Sequence, residues 1–188
     1  MRAREARWRR LRLAGWTAGL VAVVSVITVM LVTSRPVESG RQRVAPAFAL
    51  TDTAGTVHQL ADHKGKNVLL YFNEGAGCDA CFYQMVEIEK RSPEFAKLGV
   101  TVLPIAANPV EAVRRDIVRF GLKTPWLLDP DVHVSTAYGT VGRGMHAGLP
   151  GHGFVLVDTQ GRQRWYGEYP TMFVPADELL AEVRTRLT

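Results

Sequence analysis

The stretch Asn67–Phe82 reads NVLLYFNEGAGCDACF. Its opening, Asn67 to Asn73, is a nearly continuous apolar run, the pattern of a strand buried on both faces. Gly75 and Gly77 then allow a sharp turn. From Asp79 onward Phe82, Met85, Val86 and Ile88 recur at helical spacing. Both cysteines of the chain fall at this strand-to-helix junction, as Cys78-Asp79-Ala80-Cys81. The spacing suits chemistry. Two residues three apart in a first helical turn lie within the ~4.4–6.8 Å Cα separation that a disulfide needs. Cys78 falls at the helix N-terminus, where free N–H groups and the helix dipole favour a thiolate. Cys81, one turn in, is placed to be shielded and to resolve a mixed disulfide formed by Cys78. The C-terminal edge of a buried strand is also where sites in α/β sheets usually lie.

Working outward, Ala47–Thr51 reads as a strand, Asp52–Gly55 as a turn and Thr56–Leu60 as the returning strand of a hairpin. Downstream, Ser92-Pro93 breaks the helical pattern. Val100–Ala106 is a strand whose Pro104, unable to donate to a ladder, points to the strand's end. Val110–Phe120 is an amphipathic helix stopped by Gly121. Trp126–Leu128 reads as a short strand and Val132–Tyr138 as a short helix. A glycine-rich segment, 139–153, lacks the Gly-Lys-Ser/Thr ending of a phosphate cradle. Phe154–Val157 and Arg164–Tyr166 form a hairpin, and Pro175 opens a last helix. The order predicts an α/β sandwich over residues 46–188.

The beginning of the chain is different. Six arginines lie within the first twelve residues, and Leu13–Val32 follows without a charge. Twenty helical residues at ~1.5 Å each cover the ~30 Å hydrocarbon core of a bilayer. The expected arrangement is a cytoplasmic basic segment (1–12), a transmembrane helix (13–32), a flexible tether (33–45) and an extracytoplasmic domain, because arginine-rich flanks stay inside. A cleaved signal peptide is the alternative. It calls for a shorter apolar run and a small-x-small cleavage site; it too sends the domain across the membrane.

Composition agrees. Of 188 residues 47% are hydrophobic and 22% charged, which fits a folded chain and excludes a multi-span membrane protein. Two cysteines exclude a disulfide-stapled mini-scaffold. The net charge is +5, but nine of the 23 Lys/Arg and only two of the 18 Asp/Glu lie in residues 1–43. The remainder holds 14 basic and 16 acidic residues and shows no basic stripe, so nucleic acid is not an expected partner.

The segments APAFALTDTAGTVHQLADHKGKNVLLYF (45–72), TPWLLDPD (124–131) and LPGHGFVLVDTQGRQRW (149–165), arranged around C-x-x-C, resemble the thioredoxin-like redoxins. The order is similar to the alkyl hydroperoxide reductase/thiol-specific antioxidant branch and to membrane-tethered TlpA/ResA-type proteins. The resemblance implies a thioredoxin-like fold, a central mixed sheet with helices on both faces. It also implies that Pro150 matches the cis-proline beside the redox pair. Two departures bear on activity. Peroxiredoxins place Thr or Ser three residues before the peroxidatic Cys; with Cys81 in that place, Cys78 stands where the Thr would be. The Arg expected before the strand at 154 is absent, and Arg143 is the nearest candidate.

The first expectation is therefore thiol–disulfide exchange with protein or small-molecule thiols and disulfides, a chemistry that needs no cofactor. A thiol peroxidase acting on hydroperoxides is the second. Glu74 and Asp79 flank the pair. Glu74 could relay a proton, and Asp79 beside Cys78 disfavours the thiolate and pushes the couple toward reducing potentials. The third reading is a Cu(I) carrier of SCO type holding the ion through Cys78, Cys81 and His152, or His146 in its place, since thiolates select Cu(I).

Overall fold

The computed structural model describes residues 15–29, 37–39 and 43–187. The chain falls into two units, Met1–Arg35 and Pro36–Thr188. In the first, residues 15–29 form helix α1. Among the described residues no helix is long and apolar enough to cross a membrane. The expected cytoplasmic segment 1–12, and positions 13, 14 and 30–32 of the expected span, lie outside the described residues.

Among its described residues the second unit carries nine strands: β1 (Val37–Ser39), β2 (Arg43–Val44), β3 (Ala49–Asp52), β4 (Val57–Gln59), β5 (Asn67–Phe72), β6 (Val100–Ala106), β7 (Leu127–Leu128), β8 (Gly153–Val157) and β9 (Arg162–Glu168). Its helices are α2 (Asp79–Lys90), α3 (Ser92–Lys97), α4 (Val110–Phe120), α5 (His133–Tyr138) and α6 (Ala176–Leu187). The strands form one sheet in the order β1-β9-β8-β5-β6-β7-β3-β4, with β2 also on β9. The β5–β6 and β6–β7 pairs are parallel and the others antiparallel. The sheet is thus mixed, as expected.

Alternation along β5 assigns its side chains to two cores. Leu69 and Tyr71 join Phe154 and Leu156 of β8 beneath α2, α4 and α6, through Phe82, Met85, Val113, Leu179 and Val183. Val68, Leu70 and Phe72 face the other side with Val155, Val134 and Tyr138, the last two on α5. Helices therefore cover both faces. Phe82, adjacent to Cys81, stacks on Trp126 at 4.4 Å between centroids and on Phe120 at 5.4 Å. Burying one such ring contributes about 2–3 kcal/mol, and here it fixes the start of α2 against α4 and the approach to β7.

β6 spans the expected Val100–Ala106, with Pro104 two residues before its end. The Ile105 carbonyl faces β5, accepting from the Asn73 amide at 3.3 Å, so the neighbouring Pro104 nitrogen faces the β7 side. The β7 ladder begins only at Ile105, and the missing donor is not needed there. The flexible tether expected over 33–45 is corrected where it is described; positions 33–36 and 40–42 lie outside the described residues. Within 33–45, Val37–Ser39 and Arg43–Val44 pair antiparallel with β9, and the Ala45 amide bonds to the Gly161 carbonyl at 2.9 Å. The side of β9 away from β8 offers unpaired N–H and C=O groups, and short polar strands satisfy them without an apolar face of their own.

Candidate functional site

The site begins where β5 ends. The Asn73 amide group donates to the carbonyls of Tyr71 and Ile105, both at 3.3 Å, and its Oδ1 accepts from the Gly75 amide at 2.9 Å. Asn108 accepts from the Ala76 amide at 3.0 Å, and Asp116 of α4 from the Gly77 amide at 3.2 Å. Three polar side chains thus hold successive backbone amides of the turn that delivers Cys78. Cys78 is the N-cap of α2, and its Sγ accepts from the Cys81 amide at 3.3 Å. A cysteine here fills the role usually given to Ser or Asp. The same hydrogen bond favours a thiolate once the pair is reduced.

Cys78 and Cys81 form a disulfide with a Cα separation of 5.3 Å, inside the range expected from their spacing. Their exposures differ: Cys78 keeps 8% of its surface and Cys81 none. Met172 and Ala80 pack against the two sulfur residues. Behind Cys81 lies a buried polar chain. The Tyr71 hydroxyl donates to the Cys81 carbonyl at 3.2 Å and meets His152 Nδ1 at 3.1 Å. His152 Nε2 meets Gln84 Oε1 at 3.3 Å. Burial raises Tyr71 well above its usual pKa and lowers His152 to about 3, so both are neutral under ordinary conditions.

The remaining expected residues take other places. Glu74 is buried, and its carboxylate accepts from the amides of Met145 and His146 and pairs with His146 Nδ1 at 2.7 Å. It anchors the glycine-rich segment through these bonds. Asp79 is exposed and paired with Arg119 of α4, which also holds Asp116 at 3.0 Å. The charge beside Cys78 is therefore a compensated pair and not the lone carboxylate expected. Pro150 is buried, but no described peptide bond is cis. Val141 bridges Pro150, and Gly142→Leu149 and Gly151→Thr140 bonds of 3.0 and 2.9 Å close the segment into an extended pair, which the trans form satisfies. Arg143 is exposed on that segment.

The copper site is not assembled. His152 spends its ring nitrogens on Tyr71 and Gln84, and His146 faces Glu74. Among the described residues the side chains grouped as three metal ligands are Asp129, Asp131 and His133. Asp129 is already committed to the Val134 and Ser135 amides at the start of α5.

The profile of the AhpC/TSA family matches residues 42–166. The chain belongs to the AhpC/TSA family. It is 32% identical over 122 residues to a "Putative peroxiredoxin" of Mycobacterium tuberculosis, a match spanning 63% of this chain and 78% of that one. It is 37% identical over 95 residues to the thiol-disulfide oxidoreductase ResA of Geobacillus kaustophilus, covering 50% of this chain and 54% of ResA. The thioredoxin domain of a Bacteroides vulgatus thiol-disulfide oxidoreductase superposes with a TM-score of 0.60 at 25% identity, covering 78% and 96% of the two chains. The fold of this AhpC/TSA protein is thioredoxin-like.

Sequence reasoning missed Tyr71, Gln84, Arg119 and Met172, and read His152 only as a metal ligand. Two of them left a signal. Gln84 is a polar residue on the apolar stripe of α2, between Cys81 and Ile88. His152 precedes Phe154 and Leu156 by the strand period of two and so shares their buried face.

Burial of His152 carries a pH dependence. Its folded pKa of about 3 lies below the unfolded value near 6.5. Between these values the unfolded chain takes up a proton that the folded one refuses. The stability is thus fully present above the unfolded value and is lost as pH falls toward 3. At pH 4.5 the loss is about 3 kcal/mol, two units at ~1.36 kcal/mol each. Urea unfolding at pH 7 and 4.5 should show it, and His152→Gln should remove most of the difference. Equal pH dependence in both proteins would show that another group is responsible.

Proposed function

We propose that this AhpC/TSA protein is a membrane-anchored thiol–disulfide oxidoreductase whose domain faces away from the cytoplasm, with Cys78 as nucleophile and Cys81 as resolving thiol. The observation that carries the reading is the C-x-x-C disulfide at the N-terminus of α2, with Cys78 at the surface and Cys81 sealed beneath it. In the reducing direction, the Cys78 thiolate attacks one sulfur of a substrate disulfide and displaces the other as a thiol. The Cys81 thiolate then attacks Cys78, releasing the second thiol and closing the pair. Two electrons pass to the substrate, and a dithiol reductant must restore the pair. The reverse sequence oxidises a substrate dithiol.

A peroxidase reading is favoured by the peroxiredoxin relative. In that chemistry a thiolate would attack a peroxide oxygen and become a sulfenic acid. With Cys81 in the peroxidatic place, the attacking thiolate would have no exposed surface, which weighs toward exchange. The deciding measurement incubates reduced full-length protein with a model disulfide and, separately, with hydrogen peroxide. Rapid closure of the Cys78–Cys81 disulfide by the model disulfide, with peroxide consumed no faster than by free cysteine, is expected. The opposite pattern would exchange the two readings.

Anchoring is supported by the uncharged run Leu13–Val32 behind six arginines, and by Leu20, Val21, Val23 and Val24 standing exposed around α1. Such all-round apolar exposure suits lipid. Retention in the membrane pellet after alkaline carbonate extraction is expected; release of the intact chain would remove the anchor.

A further inference from the structure

Tyr169–Val174 (YPTMFV) links β9 to α6 and delivers Met172 to the disulfide. Met172 has φ +59°, a left-handed conformation that is unfavourable for a residue with a Cβ and persists only where the surroundings impose it. The surroundings here are specific. The Tyr169 amide donates to the His152 carbonyl at 2.8 Å, and the Met172 amide to the Tyr169 carbonyl at 2.9 Å. On the far side, Gln84 accepts from the Val174 amide at 2.8 Å and donates to the Val174 carbonyl at 2.9 Å. Gln84 is fully buried on α2, one turn beyond Cys81. The helix that carries the cysteines therefore also clamps the segment that lays Met172 on them.

The result is an apolar border to the reactive sulfur. Met172 packs with both cysteines, its neighbour Phe173 is 38% exposed, and Cys78 keeps only a small opening. A thioether on a flexible unbranched chain adapts to differently shaped apolar groups. We propose that Met172 is a specificity-determining residue, receiving apolar side chains beside a partner's disulfide and disfavouring small charged disulfides at Cys78. The proposal rests on the exchange reading above and deepens it by naming the class of substrate, a disulfide flanked by apolar residues.

Full-length protein in detergent, kept reduced by a small dithiol whose direct reaction with each probe is subtracted, is assayed with two probes: a peptide disulfide with leucines beside each half-cystine, and glutathione disulfide. Met172→Gly is the informative variant, because its φ suits glycine and the backbone need not change. It should raise KM for the peptide about 10-fold, equivalent to ~1.4 kcal/mol, with kcat nearly unchanged. Glutathione disulfide should react as fast as before or faster. Met172→Leu should restore the peptide KM to within about 2-fold, since Leu and Met are interchangeable in volume. Equal losses on both probes, no change on either, or failure of Met172→Leu to restore the peptide would overturn the proposal. Wild-type protein that reacts with neither probe would instead overturn the exchange reading itself.

Discussion

Cys78→Ser is expected to abolish exchange, slowing reduction of a model disulfide by on the order of 10³-fold or more, because a serine oxygen cannot form the mixed disulfide through which exchange proceeds. Cys81→Ser should behave differently. Its Cys78 can still attack, but nothing can resolve the product, so a mixed disulfide with the substrate should accumulate at one equivalent. The asymmetry follows from exposure, since an incoming disulfide meets Cys78, whereas Cys81 has no exposed surface and packs with Met172. Mass spectrometry of each variant after mixing with substrate distinguishes the two. If Cys78→Ser traps the adduct and Cys81→Ser does not, the roles are reversed.

Gly75→Ala is expected to destabilise the domain by about 2–5 kcal/mol. Gly75 has φ +72°, and an added Cβ would stand 1.9 Å from Asn108 Oδ1 and 2.8 Å from the Ala106 Cβ. Left-handed strain contributes ~1–2 kcal/mol and overpacking ~1–3 kcal/mol. Asn108 cannot yield without releasing the Ala76 amide, so the turn before Cys78 loses its shape along with its stability. Gly77→Ala is the control. Its φ of +92° carries strain, but nothing lies within 4 Å of the added methyl. Urea unfolding should rank Gly75→Ala well below Gly77→Ala, and similar midpoints would show that the contact with Asn108 is relieved cheaply.

The β5–α2 junction was legible because its signals are local: a buried run, two glycines and an apolar repeat lie within two dozen residues. Helix α4 matched its expected bounds for the same reason, with an amphipathic stripe and a glycine stop. What escaped depends on partners distant in the chain. Gln84 and Val174 are 90 residues apart, and Asp79 and Arg119 are 40 apart. No periodicity reports such a pairing. Glu74 shows the limit most plainly. Its position four residues before Cys78 suggested proton chemistry, but gave no sign of its bonds to the amides of Met145 and His146, which the sequence marks only as members of a glycine-rich stretch.

The strands β1 and β2 bear on where the domain can be cut from the residues that precede it. A fragment cut at residue 46, where the family resemblance and the composition both invite a boundary, would leave Arg162–Glu168 with a bare row of backbone donors and acceptors. Such a row templates pairing with another molecule. The soluble fragment would then self-associate through β9, and its aggregation would say nothing about the intact chain. A cut placed before Val37 keeps the protective strands in cis, so Val37–Ser39 and Arg43–Val44 serve the domain's solubility as well as its sheet.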